Sequence, residues 1–212
     1  MAREDLTEIA IIMDESGSMQ STADDAIGGY NSFIASQKEV EGHANVTLVL
    51  FDNKYEIVHA GIDVKDIPDL SNETYNPGGG TALIDALGKT VDSVSDRINT
   101  MEEDEKPGKV IIIVITDGEE NSSREYKRSD VAKKLKDYQS RDKWELIFIG
   151  ASNEILDQAD DLGFKKDKMM RYAASSGGTM RAYTTMSDAV GSYRSMGSYE
   201  LPKDAEESKD EE

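Results

Sequence analysis

Three oxygen-bearing side chains alternate in the stretch MDESGSMQ: Asp14, Ser16 and Ser18. They follow directly on an apolar run, Ile9 to Met13, that reads as a buried β-strand. One carboxylate and two hydroxyls at a strand end could serve a nucleophile, a phosphate or a metal. Two later loops offer partners. Gly78-Gly79-Gly80-Thr81 precedes a helical pattern, and Thr116-Asp117-Gly118 closes VIIIVI, the strongest apolar run of the chain. The pooled inventory is two carboxylates and three hydroxyls, with no His or Cys nearby in sequence. Hard oxygen ligands in small number suit Mg²⁺, with Mn²⁺ or Ca²⁺ as substitutes and water filling the remaining positions. Two Asp charges balance a divalent ion, so one further anionic oxygen would still be attracted. That chemistry fits either binding or hydrolysis.

Positioning these groups requires a particular scaffold. Strand patterns at 9–13, 46–51, 55–60, 109–116, 145–150 and 169–173 alternate with helical spacing at 24–41, 83–98, 131–138, 155–162 and 183–193. Asp52-Asn53-Lys54 joins the second and third strands as a hairpin turn. The order βαββαβαβαβα predicts an α/β fold. It is an open, mostly parallel, Rossmann-like sheet with one antiparallel edge strand and helices on both faces. Ligands of such sheets bind beyond the carboxyl ends of the strands, where strand order reverses. If the first and fourth strands are neighbours, Asp14 and Asp117 lie side by side there, and the glycine loop can bring Thr81 over them.

With these residues in view, DESGS resembles the DxSxS motif of the von Willebrand factor type A (VWA) domain. Asp14, Ser16 and Ser18 match its three positions, Thr81 in GGGT its separate threonine, and Asp117 in ITDG its aspartate. The resemblance covers roughly residues 6 to 196 and is nearest to small stand-alone VWA proteins of bacteria and their phages. It implies a metal-ion-dependent adhesion site, at which Asp14, Ser16, Ser18, Thr81 and Asp117 hold Mg²⁺. It also implies an interaction module rather than an enzyme, with a partner protein's Asp or Glu carboxylate completing the metal's shell. The alternative is a Mg²⁺-dependent phosphohydrolase of haloacid dehalogenase type with Asp14 as nucleophile. That family carries a second acid where this chain has Ser16, so its general acid and base would be missing.

Composition narrows the partners. The net charge of -19 over 212 residues argues against nucleic acid and anionic membranes, which need basic contacts. The absence of cysteine excludes disulfides, thiolate zinc sites and cysteine nucleophiles, and is compatible with a cytoplasmic setting. No run is apolar for the length of a membrane span. One VWA domain is expected over 1–196, followed by an acidic, solvated tail over 197–212. The tail acids Glu206, Glu207, Asp210, Glu211 and Glu212 could themselves fill the metal's open position. Among residues flanking the site, Glu15, Glu119 and Glu120 read as solvated loop acids, and Asp85 as an acid favoured by a helix N-terminus. Thr81 could also cap that helix. Gly28 and Gly29, costly inside a helix, suggest close helix–sheet packing. His43 and His59 fall in no motif.

Overall fold

The computed structural model describes residues 2–141 and 143–205. Its six strands are β1 (Arg3–Asp14), β2 (His43–Phe51), β3 (Tyr55–Asp63), β4 (Pro107–Thr116), β5 (Trp144–Gly150) and β6 (Met169–Arg171). Five helices intervene: α1 (Ala23–Glu39), α2 (Leu83–Thr100), α3 (Arg128–Gln139), α4 (Asn153–Asp161) and α5 (Ser176–Met196). The sheet order is β3-β2-β1-β4-β5-β6; all pairs are parallel except β2 with β3, the antiparallel edge. The expected architecture is therefore the observed one.

Side chains on a strand alternate between faces, so the unbroken apolar runs of β1 and β4 must be covered on both. Ile9, Ile11, Met13, Ile111, Ile113 and Ile115 pack beneath α1 and α5, while Ala10, Ile12, Ile112 and Val114 pack beneath α2, α3 and α4. Burying each such aliphatic side chain contributes about 1.5–3 kcal/mol. These two central strands are covered on both faces, β1 ending at Asp14 and β4 one residue before Asp117.

Gly29 behaves differently from the expectation of helix–sheet packing. A methyl there would stand 2.3 Å from the Tyr183 ring of α5, so the missing side chain lets α1 and α5 pack against each other. Gly28 faces nothing within 4 Å. Among the described residues, no helix is long and apolar enough to cross a membrane.

The expected tail boundary at 197 needs correction. Gly197 ends α5 in the left-handed conformation (φ 75°), and the chain turns back along the sheet edge. Tyr199 and Leu201 pack against the core and Ala205 is fully buried in it. The Arg171 amide donates to the Lys203 carbonyl and the Ala205 amide to the Arg171 carbonyl, both at 2.8 Å. Asp204 pairs in a parallel bridge with Arg171 and forms an ion pair with its guanidinium. Apolar Tyr199, Leu201 and Ala205 supply the burial that a purely charged tail would lack. Glu206, Glu207, Asp210, Glu211 and Glu212 lie outside the described residues.

Candidate metal centre

The site forms where strand order reverses, between β1 and β4. Asp14 ends β1 and Asp117 follows the last residue of β4. The Asp14 carboxylate is fully buried. Its Oδ1 accepts the Ser16 amide at 2.7 Å, and its Oδ2 accepts the Thr116 hydroxyl. Ser16 Oγ and Ser18 Oγ lie 3.0 Å apart, and the Ser18 hydroxyl donates to Asp117 Oδ1 at 2.5 Å. Ser16 is buried and Ser18 exposed.

Thr81 arrives by a loop tied to the first one. The Gly17 amide donates to the Gly79 carbonyl at 3.2 Å, and the Gly78 amide to the Glu15 carbonyl at 2.8 Å. Gly79 has φ +72°, and a methyl there would stand 2.1 Å from Asn53 Oδ1, so conformation and space both require glycine. Thr81 does not cap α2. The helix N-terminus is satisfied by Glu120 Oε2, which accepts the Ile84 amide at 2.9 Å, and by Ser123 Oγ, which accepts the Asp85 amide at 3.0 Å.

The position of Gly118 measures how these groups converge. A methyl carbon built on it would stand 2.5 Å from Thr81 Oγ1, 3.2 Å from Ser16 Oγ and 3.3 Å from Asp14 Oδ2. Three oxygens from two loops, the one that ends β1 and the one that carries Thr81, thus surround one point on a third. All five expected residues are brought together: Asp14, Ser16 and Thr81 around that point, and Ser18 and Asp117 bonded to each other beside it. Over them opens a cleft of about 380 Å³ whose lining includes Ser16, Ser18, Thr81 and Asp117 and contains no Lys or Arg.

The electrostatics call for positive charge. Burial raises the Asp14 carboxyl from its ordinary 3.8 to about 6; bonds from Thr116 and Ser16 oppose that shift, and the Asp117 charge adds to it. Burial also raises Asp117, with the Ser18 hydroxyl acting against it. Two carboxylates desolvated together without a cationic side chain are a costly arrangement that a divalent ion relieves. The donor set, the converging oxygens and the charge therefore fit a hard divalent cation. Among the described residues, no trio of His, Asp or Glu gathers to form another metal site.

Two acids that sequence reasoning treated as bland turn out to hold the site's loops. Glu120 is no solvated loop acid: its carboxylate accepts the Ser122 and Ser123 amides and the Ser123 hydroxyl besides the Ile84 amide. Asp85 does more than favour the helix dipole. It accepts the amides of Arg124 at 2.7 Å, Glu125 at 3.0 Å and Tyr126 at 2.7 Å. Asn121 adds a reciprocal pair, its Oδ1 accepting the Thr81 amide and its own amide donating to the Thr81 carbonyl. The loop after Asp117 is thereby wrapped onto the start of α2. Glu15 is partly buried and accepts the Asn76 amide at 2.5 Å. Only Glu119 is an exposed loop acid, and it is held by the Gln158 amide. Sequence signals were available only for Asp85, an acid in the first turn of a helix. His43 is exposed, 3.7 Å from Asp5, and His59 lies on the edge strand β3; neither lines the cleft.

The sequence matches the family model described as von Willebrand factor type A domain over residues 8–185. The chain belongs to the von Willebrand factor type A family. VWA domains are in general metal-dependent protein-interaction modules. Solved structures agree on the fold. A von Willebrand factor type A protein from Catenulispora acidiphila superposes with a TM-score of 0.57 at 15% identity, over 86% of this chain and 42% of that one. The ArnB paralog VWA2 from Sulfolobus acidocaldarius gives 0.53 at 19%, over 86% and 44%. Proximal thread matrix protein 1 of the mussel byssus gives 0.60 at 13%, over 86% and 45%. This VWA chain thus spans less than half the length of each of these relatives, and at such identities the likeness is one of fold. No curated protein matches it in sequence. None of these likenesses supports the phosphohydrolase alternative.

Proposed function

We propose that this VWA domain holds a divalent cation, Mg²⁺ by preference, at Asp14, Ser16, Ser18, Thr81 and Asp117, and captures a partner protein through the partner's Asp or Glu carboxylate. The observation that carries this reading is the convergence of Thr81, Ser16 and Asp14 oxygens on one point below an open cleft. When bound, the cation supplies an electrophilic position for one further anionic oxygen. The residues of the chain do the rest. Asp14 and Asp117 provide charge, the three hydroxyls provide neutral donors, and Thr116 and the Ser16 amide orient the Asp14 carboxylate.

An interaction role is favoured over catalysis by what surrounds the cleft. Its lining contains Asp117 and Glu119 but no His, Lys or Cys, and Ser16 stands where a phosphohydrolase of the alternative type needs its second acid. We read the folded unit as extending to residue 205, with a cytoplasmic setting the simplest for a cysteine-free chain.

Titration calorimetry of chelator-treated protein with MgCl₂, MnCl₂ and CaCl₂ tests the site. One ion per chain is expected, lost in Asp14→Ala and Thr81→Ala. Absence of binding by all three ions up to about 10 mM, weaker than dedicated extracellular Ca²⁺ sites, rejects the reading. Mg²⁺-dependent phosphate release from a simple phosphomonoester, abolished in Asp14→Asn, would instead establish the enzyme.

A further inference from the structure

Among the side chains that line the cleft, one differs from the rest in what it offers a ligand. The carboxylates of Asp117 and Glu119 only accept hydrogen bonds, and the hydroxyls of Ser16, Ser18, Thr81 and Ser152 both accept and donate. Asn121 alone carries a nitrogen that only donates. Its identity follows from what the other end of the amide binds. Asn121 Oδ1 accepts the Thr81 amide at 2.9 Å and the Ser122 hydroxyl at 2.6 Å. A backbone amide must donate, so the atom facing it is the oxygen and Nδ2 is the other. The Asn121 amide in turn donates to the Thr81 carbonyl at 3.0 Å. A methyl on Gly80 would stand 2.2 Å from Ser122 Oγ and 2.7 Å from Asn121 Oδ1, so the glycine loop seats directly on this pair. Asn121 is exposed, and its Nδ2 takes no partner among the described residues.

A carboxylate that binds a cation through one oxygen keeps a second oxygen with part of the charge. Most of this cleft is hostile to that second oxygen. Asp117 and Glu119 repel it, and no Lys or Arg stands in the lining to meet it. A Lys placed there would also repel the cation, whereas a neutral N–H does not. Asn121 supplies such a donor. Because its Oδ1 sits on the Thr81 amide, the residue that carries the donor also holds the residue that presents Thr81 Oγ1. Donor and metal ligand are therefore fixed relative to each other.

We propose that Asn121 reads the partner's acid: its Nδ2 donates to the carboxylate oxygen that the cation leaves free, while its Oδ1 holds Thr81 in place. This rests on the cation-site reading above. It makes Asn121 a specificity-determining residue of the cleft. A ligand with two oxygens on one carbon satisfies both the cation and the amide. A ligand with a single donor atom satisfies the cation alone and leaves Nδ2 unused.

The test uses the full chain as wild type, Asn121→Asp and Asn121→Ala, each saturated with Mn²⁺ so that differences in metal affinity do not enter. Two small anions probe the open position: acetate, with two oxygens, and fluoride, a single atom. Binding is followed through the relaxation that protein-bound Mn²⁺ imposes on the acetate methyl protons and on the fluoride nucleus. Asn121→Asp keeps an acceptor for the Thr81 amide and removes the donor. Asn121→Ala removes the donor without adding charge. A change in local charge or in the position of Thr81 acts on both anions, so the ratio of acetate to fluoride affinity isolates the bond from Nδ2. Loss of one hydrogen bond to a charged oxygen should lower that ratio about tenfold in both variants. A ratio within about threefold of wild type in either variant overturns the role of Asn121 while leaving the cation site standing. A fall confined to Asn121→Ala would make Asn121 a clamp on Thr81 and nothing more. Binding of Mn²⁺ by no form, wild type included, removes the cation-site reading and this one with it.

Discussion

Gly118→Ala tests the centre at the point where its oxygens converge. Gly118 is not in the left-handed region, so its backbone accepts alanine. The added methyl would stand 2.5 Å from Thr81 Oγ1. Ordinary carbon–oxygen approach is about 3.3–3.6 Å, so the threonine oxygen must retreat by about 1 Å. Metal–ligand distances tolerate only about ±0.2 Å, so Thr81 is lost as a ligand and the methyl occupies space the ion would use. Disturbing an outer-shell partner costs 10- to 100-fold in metal affinity, so displacing a direct ligand should cost at least about 100-fold. The fold should survive, because overpacking of one side chain costs about 1–3 kcal/mol. The assay is thermal unfolding with Mg²⁺ against chelator. At about 100 times its dissociation constant, Mg²⁺ should stabilise the wild type by about 2.7 kcal/mol. Gly118→Ala should melt near the wild type in chelator and gain nothing from Mg²⁺. If the variant binds Mg²⁺ within about threefold of wild type, the cation does not sit among Thr81, Ser16 and Asp14, and the reasoning is wrong.

Asp85→Ala removes an acceptor shared by three backbone amides. It should destabilise the fold by about 2–4 kcal/mol, since bonds to charged groups are each worth about 1.5–3 kcal/mol and are not additive. Hydrogen exchange should quicken at Arg124, Glu125 and Tyr126, and Mg²⁺ affinity should drop about tenfold through the loosened loop. Asp14 supplies a pH signature in chelator. Its folded value of about 6 lies above its ordinary 3.8, so ionising it costs the native state, and its contribution falls as pH rises from about 4 to about 6. The difference is on the order of 3 kcal/mol. Asp14→Asn should therefore melt above the wild type at pH 7 in chelator, with the gap closing towards pH 4; a gap independent of pH contradicts this. Arg97 forms a 2.5 Å ion pair with the fully buried Glu8. Arg97→Ala should cost about 3–5 kcal/mol by leaving a buried carboxylate unpaired. Burial already raises Glu8, so the deficit should shrink towards acid pH.

Much of the architecture was legible in the chain because its cause is local. VIIIVI has no polar alternation, so it must be a strand covered on both faces, and the spacing of Leu83, Leu87, Val91, Val94 and Ile98 admits only a helix with one apolar stripe. The alternation of such segments determined the layer arrangement and put Asp14 and Asp117 at strand ends. DESGS, GGGT and ITDG each carried their own signal of residue type and spacing. What the sequence could not supply was whatever depends on neighbours far apart in the chain. That β1 lies beside β4 decides that Asp14 and Asp117 share a site. That Gly29 accommodates Tyr183 is settled by helix–helix contact, not by helix propensity. Glu120 reads as a solvated acid and Asp85 only as an acid at a helix start, because the backbone amides each one binds, Ser122, Ser123 and Ile84 for Glu120 and Arg124 to Tyr126 for Asp85, carry no sequence signature. Residues 199–205 sit beside a run of charge, yet Tyr199, Leu201 and Ala205 find apolar cover only once β6 and the core are in place. The sequence by itself determined the ligand types and the strands that end in them. Only the tertiary structure decided which loops meet, which acids hold those loops, and that the chain up to Ala205 packs beside β6.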